Sequence, residues 1–433
     1  MQLCCVDDGY IRVQPSLKSD RFAARAGRAK TNNWGEQMSA GDLMDDFPAA
    51  PDRLVTLSNW RKAPFSAWGF RNVRRLIPTA NIAASGHAAD LETSLEEIGH
   101  IGFTGHDGHP TTVGRALRAT DTDAFVVLRR GRIAAEWYGN GMSGTTPHIV
   151  FSVSKSICGT LGGILADRGL LDPDDRVIDY IPELASSVYA GCTIRHLLDM
   201  AVGIAFNEDY EDPTGDVVRY RHAAGWDPLP AGEAPIDLRS FLALQKPDGQ
   251  KHGRLFHYVS TNTDVLGWVY ERACDQPYAD ITSEYLWAPL GAERDAYITV
   301  DARDAMRAAG GVCVAPRDLA RFGEMIRRRG VAGGQQVVPG AWIDDINERG
   351  DPEAWAASEF ADMFPQASYR SKWYRIDRTK GVLCALGIHG QWIYIHPEAE
   401  LVIIRMASEP TPLDLDRVRG WRRGFDAIAE YFL

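Results

Sequence analysis

Ser152 and Lys155 stand three residues apart in "FSVSKSICGTLGGILADRGL", at the head of an apolar, glycine-rich helical pattern. Lysine is otherwise scarce in this chain, which draws its cations mainly from arginine. On a helix this spacing puts both side chains on one face. A serine hydroxyl is a weak nucleophile until a base removes its proton. A lysine can act as that base only when neutral, and its ordinary pKa is about 10.4. Burial among Ile157, Leu161 and Ile164 would favour the neutral amine. A helix N-terminus also favours developing negative charge. The alternative is an N-cap serine followed by a solvated lysine, the commoner use of both residue types. The pattern Ser-x-x-Lys occurs once in the chain.

Two further stretches could complete such a site. "FHYVSTNTDVLGW" places Tyr258 just before a helix that opens near Asn262-Thr263, where a phenol could carry a proton to a leaving atom. Ser260 follows in a Tyr-x-Ser arrangement. Most tyrosines instead serve as core aromatics with a satisfied hydroxyl. "ALGIHGQWIYI" sets Gly387 ahead of a strand, so that backbone can approach a substrate oxygen closely. The N–H groups of Ile388 and Ser152 would then form an oxyanion hole. His389 is conspicuous there, and a structural histidine beside Gly390 explains it equally well.

The elements that must position these groups read as an α+β fold. Residues 1–90 form an irregular N-terminal extension with Trp60, Phe65, Trp68 and Phe70 as anchors. "DAFVVLRRGRIAAEWYG" reads as two strands joined at Arg130-Gly131. Residues 151–290 are mainly helical, and Gly169 closes the serine-bearing helix. "HGQWIYIHPEAELVIIRMA" is a hairpin. Val418, Trp421, Phe425, Ile428 and Phe432 mark an amphipathic C-terminal helix. One α/β lobe with an antiparallel sheet, built from 91–150 and 291–433, therefore carries an inserted helical lobe at 151–290.

The 433 residues, 45% of them apolar, suffice for a large core. The formal charge of −11 and the lack of a basic, aromatic-interleaved cluster argue against nucleic acid as a partner. No apolar run reaches membrane-spanning length. "MQLCCVDDGYIRV" lacks the pattern of a signal peptide. Seven cysteines show neither a CxxC pair nor an even framework. A cytoplasmic protein is expected, with no cofactor and no metal. His106, Asp107 and His109 in "HDGHP" fit a turn better than a metal site, because no helix carries His-Glu-x-x-His. No Gly-x-Ser-x-Gly elbow is present.

Taken in order, "SVSKSICGT", "IPELASSVYAG", "NEDYEDP", "YVSTNTDVLGW", "GGVCVAPRDLARFG" and "GIHGQ" make the chain resemble the serine β-lactamase-like hydrolases. It is most similar within them to the 6-aminohexanoate-dimer hydrolases and related carboxylesterases, from about Trp68 onward. The resemblance implies a three-layer sandwich, a central antiparallel sheet flanked by helices, with the site between sheet and helical lobe. It implies Ser152 as nucleophile, Lys155 as base and Tyr258 as proton relay, with oxyanion N–H groups from Ser152 and Ile388. Substrate contacts are implied at Tyr210, Arg221, Ala309, Ser260, Gly387 and His389. The substrate would be a small amide or ester, and a homodimer is compatible with the resemblance. Three departures stand out. Arg221 occupies the place of an aspartate that recognises a substrate ammonium. Ala309 replaces an asparagine. Ala385-Leu386-Gly387 replaces Lys-Thr-Gly, which removes the cation that holds a β-lactam carboxylate. A catalytically silent scaffold of the same fold is the rival reading, disfavoured by the presence of all three reactive residues.

Overall fold

The computed structural model describes residues 42–433, so the expectations for the first part of the N-terminal extension, including Cys4 and Cys5, lie outside the described residues. The main sheet has seven strands: β1 (Thr122–Arg129), β2 (Arg132–Tyr138), β3 (Ser368–Arg370), β4 (Trp373–Asp377), β5 (Val382–Gly387), β6 (Gln391–His396) and β7 (Leu401–Ala407). Their spatial order is β3-β4-β5-β6-β7-β1-β2, and every neighbouring pair is antiparallel. The two ends of the chain thus share one sheet. Arg130 and Gly131 turn β1 into β2 with φ of +52° and +77°, the left-handed pair that a two-residue hairpin requires.

The strand sequences are apolar on both faces because both faces are covered. Ala124, Val126 and Leu128 of β1 enter one core, with Leu319 and Phe322 of helix α3 (Pro316–Arg327). Phe125 and Val127 enter the other, with Trp421, Phe425 and Ile428 of helix α4 (Leu415–Phe432). The rings of Trp392 and Phe425 meet edge to face at 5.2 Å. These are the three layers: helix, sheet, helix.

Two helices of the inserted segment matter for the site, α1 (Val153–Asp167) and α2 (Thr261–Cys274). Helix α1 is buried from Val153 through Leu165, and its glycines are the reason it can be. A Cβ at Gly159 would lie 2.2 Å from the Ser371 carbonyl oxygen, and one at Gly162 would lie 2.2 Å from the Tyr270 hydroxyl. The helix ends at Gly169 (φ +67°). Leu170 N–H then bonds the Leu165 carbonyl and Gly169 N–H bonds the Ala166 carbonyl, both at 3.0 Å, which satisfies two terminal acceptors.

A second sheet runs Thr79–Ile82, Ala296–Thr299, Val312–Val314 and His148–Ile149, all antiparallel. Its first strand falls in the segment expected to be irregular, a difference of physical origin. Four residues after Pro78 show no alternation to read, and they are strand only because Ala296–Thr299 pairs with them. Trp60, Trp68 and Phe70 are buried, and Phe65 packs on the same cluster. Phe70 meets Phe151 edge to face at 4.9 Å, so the N-terminal segment supports the residue that precedes Ser152.

Candidate active site

The second sheet delivers the backbone to Ser152. His148 pairs with Val314 and Ile149 with Cys313, and Val150 N–H bonds the Val312 carbonyl at 3.0 Å. Phe151 then takes φ of +43°, a left-handed conformation costly for a side chain of this size. It is held there by the rings of Phe70, Trp226 and His389. The chain turns sharply and enters α1. Ser152 makes no side-chain cap. Its Oγ instead accepts from Lys155 Nζ at 2.8 Å.

Lys155 is buried. Its Nζ also donates to the Ala309 carbonyl at 2.7 Å. Burial pulls its pKa from the ordinary 10.5 to about 8, with the Glu208 and Asp264 carboxylates opposing the fall and the Arg307 cation assisting it. Tyr258 is buried too, and burial pushes its phenol above the usual range, although the nearby Ser152 and Tyr374 hydroxyls favour the ionised form. The Lys155 ammonium position lies 5.1 Å from the Tyr258 ring centroid. At neutral pH the amine is therefore the group near its titration point, and the phenol keeps its proton. That division suits a lysine base and a tyrosine proton donor.

A cleft opens over Ser152. Tyr258, Tyr210, Gly387 and Ile388 line it near the hydroxyl, and Phe360, Leu386, Trp392 and Trp421 form its apolar walls. Gly387 is glycine for a local reason: a Cβ there would sit 2.5 Å from the Val150 carbonyl oxygen. Ile388 lies in the three-residue connection between β5 and β6, whose next members His389 and Gly390 have φ of +61° and +86°. Among the described residues, neither Ser152 N–H nor Ile388 N–H bonds a protein acceptor. Two unengaged donors beside a nucleophile can stabilise an oxyanion.

Comparison with known protein families matches residues 113–427 to the family described as Beta-lactamase. The chain belongs to this beta-lactamase family. A curated relative, the 6-aminohexanoate-dimer hydrolase of Paenarthrobacter ureafaciens, is 38% identical over 377 residues, covering 86% of this chain and 93% of the relative. A Bacillus anthracis structure provisionally named a 6-aminohexanoate-dimer hydrolase superposes with a TM-score of 0.80 at 25% identity, over 88% of this chain and 98% of that one. A family VIII carboxylesterase shares the fold at a TM-score of 0.54 and 17% identity, over 72% and 95% of the two chains. The protein is thus a beta-lactamase-fold serine hydrolase.

Not all of the expected substrate contacts meet the cleft of this family member. Tyr210 and Gly387 line it; Arg221, Ala309, Ser260 and His389 do not. Arg221 lies 3.1 Å from Asp227, which Arg61 also engages. Its guanidinium faces that shared carboxylate and does not line the cleft. His389 is buried between Phe70 and Phe151, its Nδ1 2.6 Å from the Glu409 carbonyl oxygen. Ser260 turns its N–H and its hydroxyl toward Glu208. Ala309 contributes backbone only: its carbonyl to Lys155, and its N–H to Asp264 Oδ1 at 2.8 Å.

The sequence reading missed Glu208, Asp264 and Arg307. Glu208 accepts from the Tyr210 hydroxyl at 2.9 Å and from Ser260 N–H at 2.9 Å. Its one signal was its place two residues before Tyr210 in "NEDYEDP". Asp264 is buried on the first turn of α2, where it accepts from Ala309 N–H and the Tyr220 hydroxyl. His106, Asp107 and His109 form the turn between Gly102–Thr104 and Pro110–Thr112. No helix among the described residues is long and apolar enough to cross a membrane.

Proposed function

We propose that this enzyme cleaves small, uncharged amides or esters through an acyl-enzyme on Ser152. The carrying observation is the 2.8 Å hydrogen bond from a buried Lys155 amine, shifted to about 8, onto the Ser152 hydroxyl. In the first step Ser152 Oγ bonds the substrate carbonyl carbon as its proton passes to neutral Lys155 Nζ. The oxyanion accepts from Ser152 N–H and Ile388 N–H. The proton returns through Tyr258 to the leaving nitrogen or oxygen, and the carbonyl re-forms as that bond breaks. Water then repeats the sequence on the acyl-enzyme and frees Ser152.

The preference for uncharged substrates rests on how the cleft's charges are used. Glu409 lies 2.8 Å from Arg405, Arg417 donates to Asp121 at 2.8 Å, and Asp414 caps α4 through Asp416 N–H and Arg417 N–H. The remaining wall is aromatic and aliphatic. The 6-aminohexanoate dimer for which the Paenarthrobacter ureafaciens relative is named carries an ammonium on its acyl part. The Arg221–Arg61 pair near Tyr210 offers no carboxylate in excess for it. Short neutral esters should therefore turn over faster than the dimer. The five described cysteines carry no disulfide, which supports a reducing, cytoplasmic setting. A fluorophosphonate probe with mass spectrometry tests the nucleophile: the adduct is expected on Ser152, and Ser152→Ala should lose both labelling and turnover. Label elsewhere, or an active Ser152→Ala enzyme, refutes the reading.

A further inference from the structure

Arg307 is buried behind the catalytic lysine and is not used by the chemistry just described. Its guanidinium lies 3.9 Å from the Tyr220 ring centroid and 4.4 Å from that of Trp226. Two flat faces hold one flat cation, an arrangement that suits arginine. Its Nη1 is 3.6 Å from Asp264 Oδ2. Among the described residues its Nε and Nη1 find no hydrogen-bond partner. A buried cation with unmet donors is costly, so its presence asks for a return.

Its place in the chain indicates what that return is. Arg307 is joined through Ala308 to Ala309, the residue whose N–H and carbonyl stand between Asp264 and Lys155. Asp264 Oδ1 accepts from Ala309 N–H at 2.8 Å, and the Ala309 carbonyl accepts from Lys155 Nζ at 2.7 Å. The lysine, the backbone of Ala309, one carboxylate and the arginine form a continuous buried series. Within it the carboxylate alone would stabilise the ammonium form of Lys155 and stop it acting as a base.

We propose that Arg307 is a positioning residue: its fixed cation, clamped by Tyr220 and Trp226, offsets Asp264 and favours the free-base form of Lys155 while Asp264 orients the Ala309 N–H. This rests on Lys155 being the base of the proposed function. The charged and titrating groups around Lys155 are Glu208, Asp264, Arg307, Cys158 and Tyr258, with Lys372 acting on it from the β3–β4 turn. Those around Arg307 include Asp264, Tyr220, Arg221 and Tyr210. Burial keeps Cys158, Tyr220 and Tyr210 in their protonated, neutral forms at neutral pH. Lys372 and Glu208 are common to all the variants below, so differences among them report Arg307 and Asp264.

The experiment is the rate of Ser152 labelling by a fluorophosphonate from pH 5 to pH 10. In Arg307→Met the acid limb should move up by about one pH unit, making labelling at pH 7 roughly tenfold slower while the alkaline plateau stays near wild type. Arg307→Lys keeps a cation and should hold the limb near the wild-type position. Asp264→Asn removes the opposing anion and should move the limb down, an opposite sign that remains testable if Arg307→Met fails to fold. An unmoved limb in Arg307→Met or Asp264→Asn, or an equal upward shift in Arg307→Lys and Arg307→Met, overturns the role of Arg307. Lys155→Arg separates the two layers. A wild-type profile in that variant removes Lys155 as the base, whereas the Arg307 result alone leaves that assignment standing.

Discussion

Glu208 Oε2 accepts the backbone N–H of Ser260 at 2.9 Å, two residues beyond Tyr258. Because Glu208 Oε1 also accepts the Tyr210 hydroxyl at 2.9 Å, one carboxylate fastens the cleft-lining loop to the segment that carries Tyr258, the proposed proton relay. The same carboxylate is the largest charge opposing the loss of Lys155's proton.

Glu208→Gln should therefore shift the acid limb of the activity profile to lower pH, by several tenths of a unit to about one unit. Glutamine keeps one oxygen acceptor where the carboxylate has two, so the link between Ser260 and Tyr210 should weaken and KM should rise. A pH series of kcat/KM with a neutral p-nitrophenyl ester checks both. A limb that stays in place or moves up would show that Glu208 does not act on Lys155.

Lys155→Arg should be nearly inactive at every pH, because a guanidinium does not deprotonate in this range. Loss of a general base typically costs about 10²- to 10⁴-fold. In the native enzyme the neutral fraction of Lys155 grows as pH rises through about 8, so the rate should climb across that point and then level. Tyr258 does not limit the plateau, since burial raises its pKa. Burst amplitudes with p-nitrophenyl acetate would measure this, and an arginine variant within tenfold of wild type would remove the lysine from the mechanism.

Gly159→Ala should destabilise the fold without touching a reactive atom. The added Cβ would lie 2.2 Å from the Ser371 carbonyl oxygen and 2.8 Å from Lys372 Cβ. The first contact is backbone and cannot swing aside. Overpacking of this kind costs about 1–3 kcal/mol. A lowered urea midpoint with an unchanged slope is the expected result; an unchanged midpoint would mean that the β3–β4 turn yields easily.

Much of this protein could be read from spacing, and the reasons are local. The Ser152–Lys155 pair, the turn at Arg130-Gly131, the end of α1 at Gly169 and the apolar stripe of α4 each announce themselves within one turn of helix or one hairpin. Asp264 and Arg307 do not. Asp264 reaches the Ala309 N–H from a helix distant in sequence, and the clamp on Arg307 needs Tyr220 and Trp226 from another segment. Ser371-Lys372 misleads in the opposite direction. A polar pair between two strands reads as an exposed turn, and both residues do take left-handed φ, +48° and +68°. Yet the turn is buried beneath α1, where Ser156 Oγ donates to the Lys372 carbonyl at 2.7 Å. Gly159 of α1 makes room for it, and a glycine's usefulness to a neighbour cannot be seen until the neighbour is known. His389 is the same lesson in a site: a conspicuous residue next to Ile388 is packed between Phe70 and Phe151.

That packing gives His389 a measurable effect on stability. Burial lowers its pKa from 6.5 to about 4, while the Glu409 carbonyl opposes the fall and the Arg61 and Arg221 cations add to it. Between those two values the unfolded chain binds a proton that the folded chain does not. The sign follows: stability rises with pH across this window, and is lost as pH falls from 6.5 toward 4. The full contribution is up to about 3 kcal/mol. His389→Asn keeps a residue that tolerates the left-handed backbone at φ +61° and cannot titrate. It should lower stability at pH 7 through lost packing against Phe70 and Phe151, yet flatten the decline between pH 6.5 and pH 4. His196 and His252, whose pKa values burial also lowers, remain in the variant and should leave a smaller slope. Urea unfolding at half-unit pH steps measures the difference. Parallel curves for the two proteins would mean that His389 takes up its proton without opening the fold.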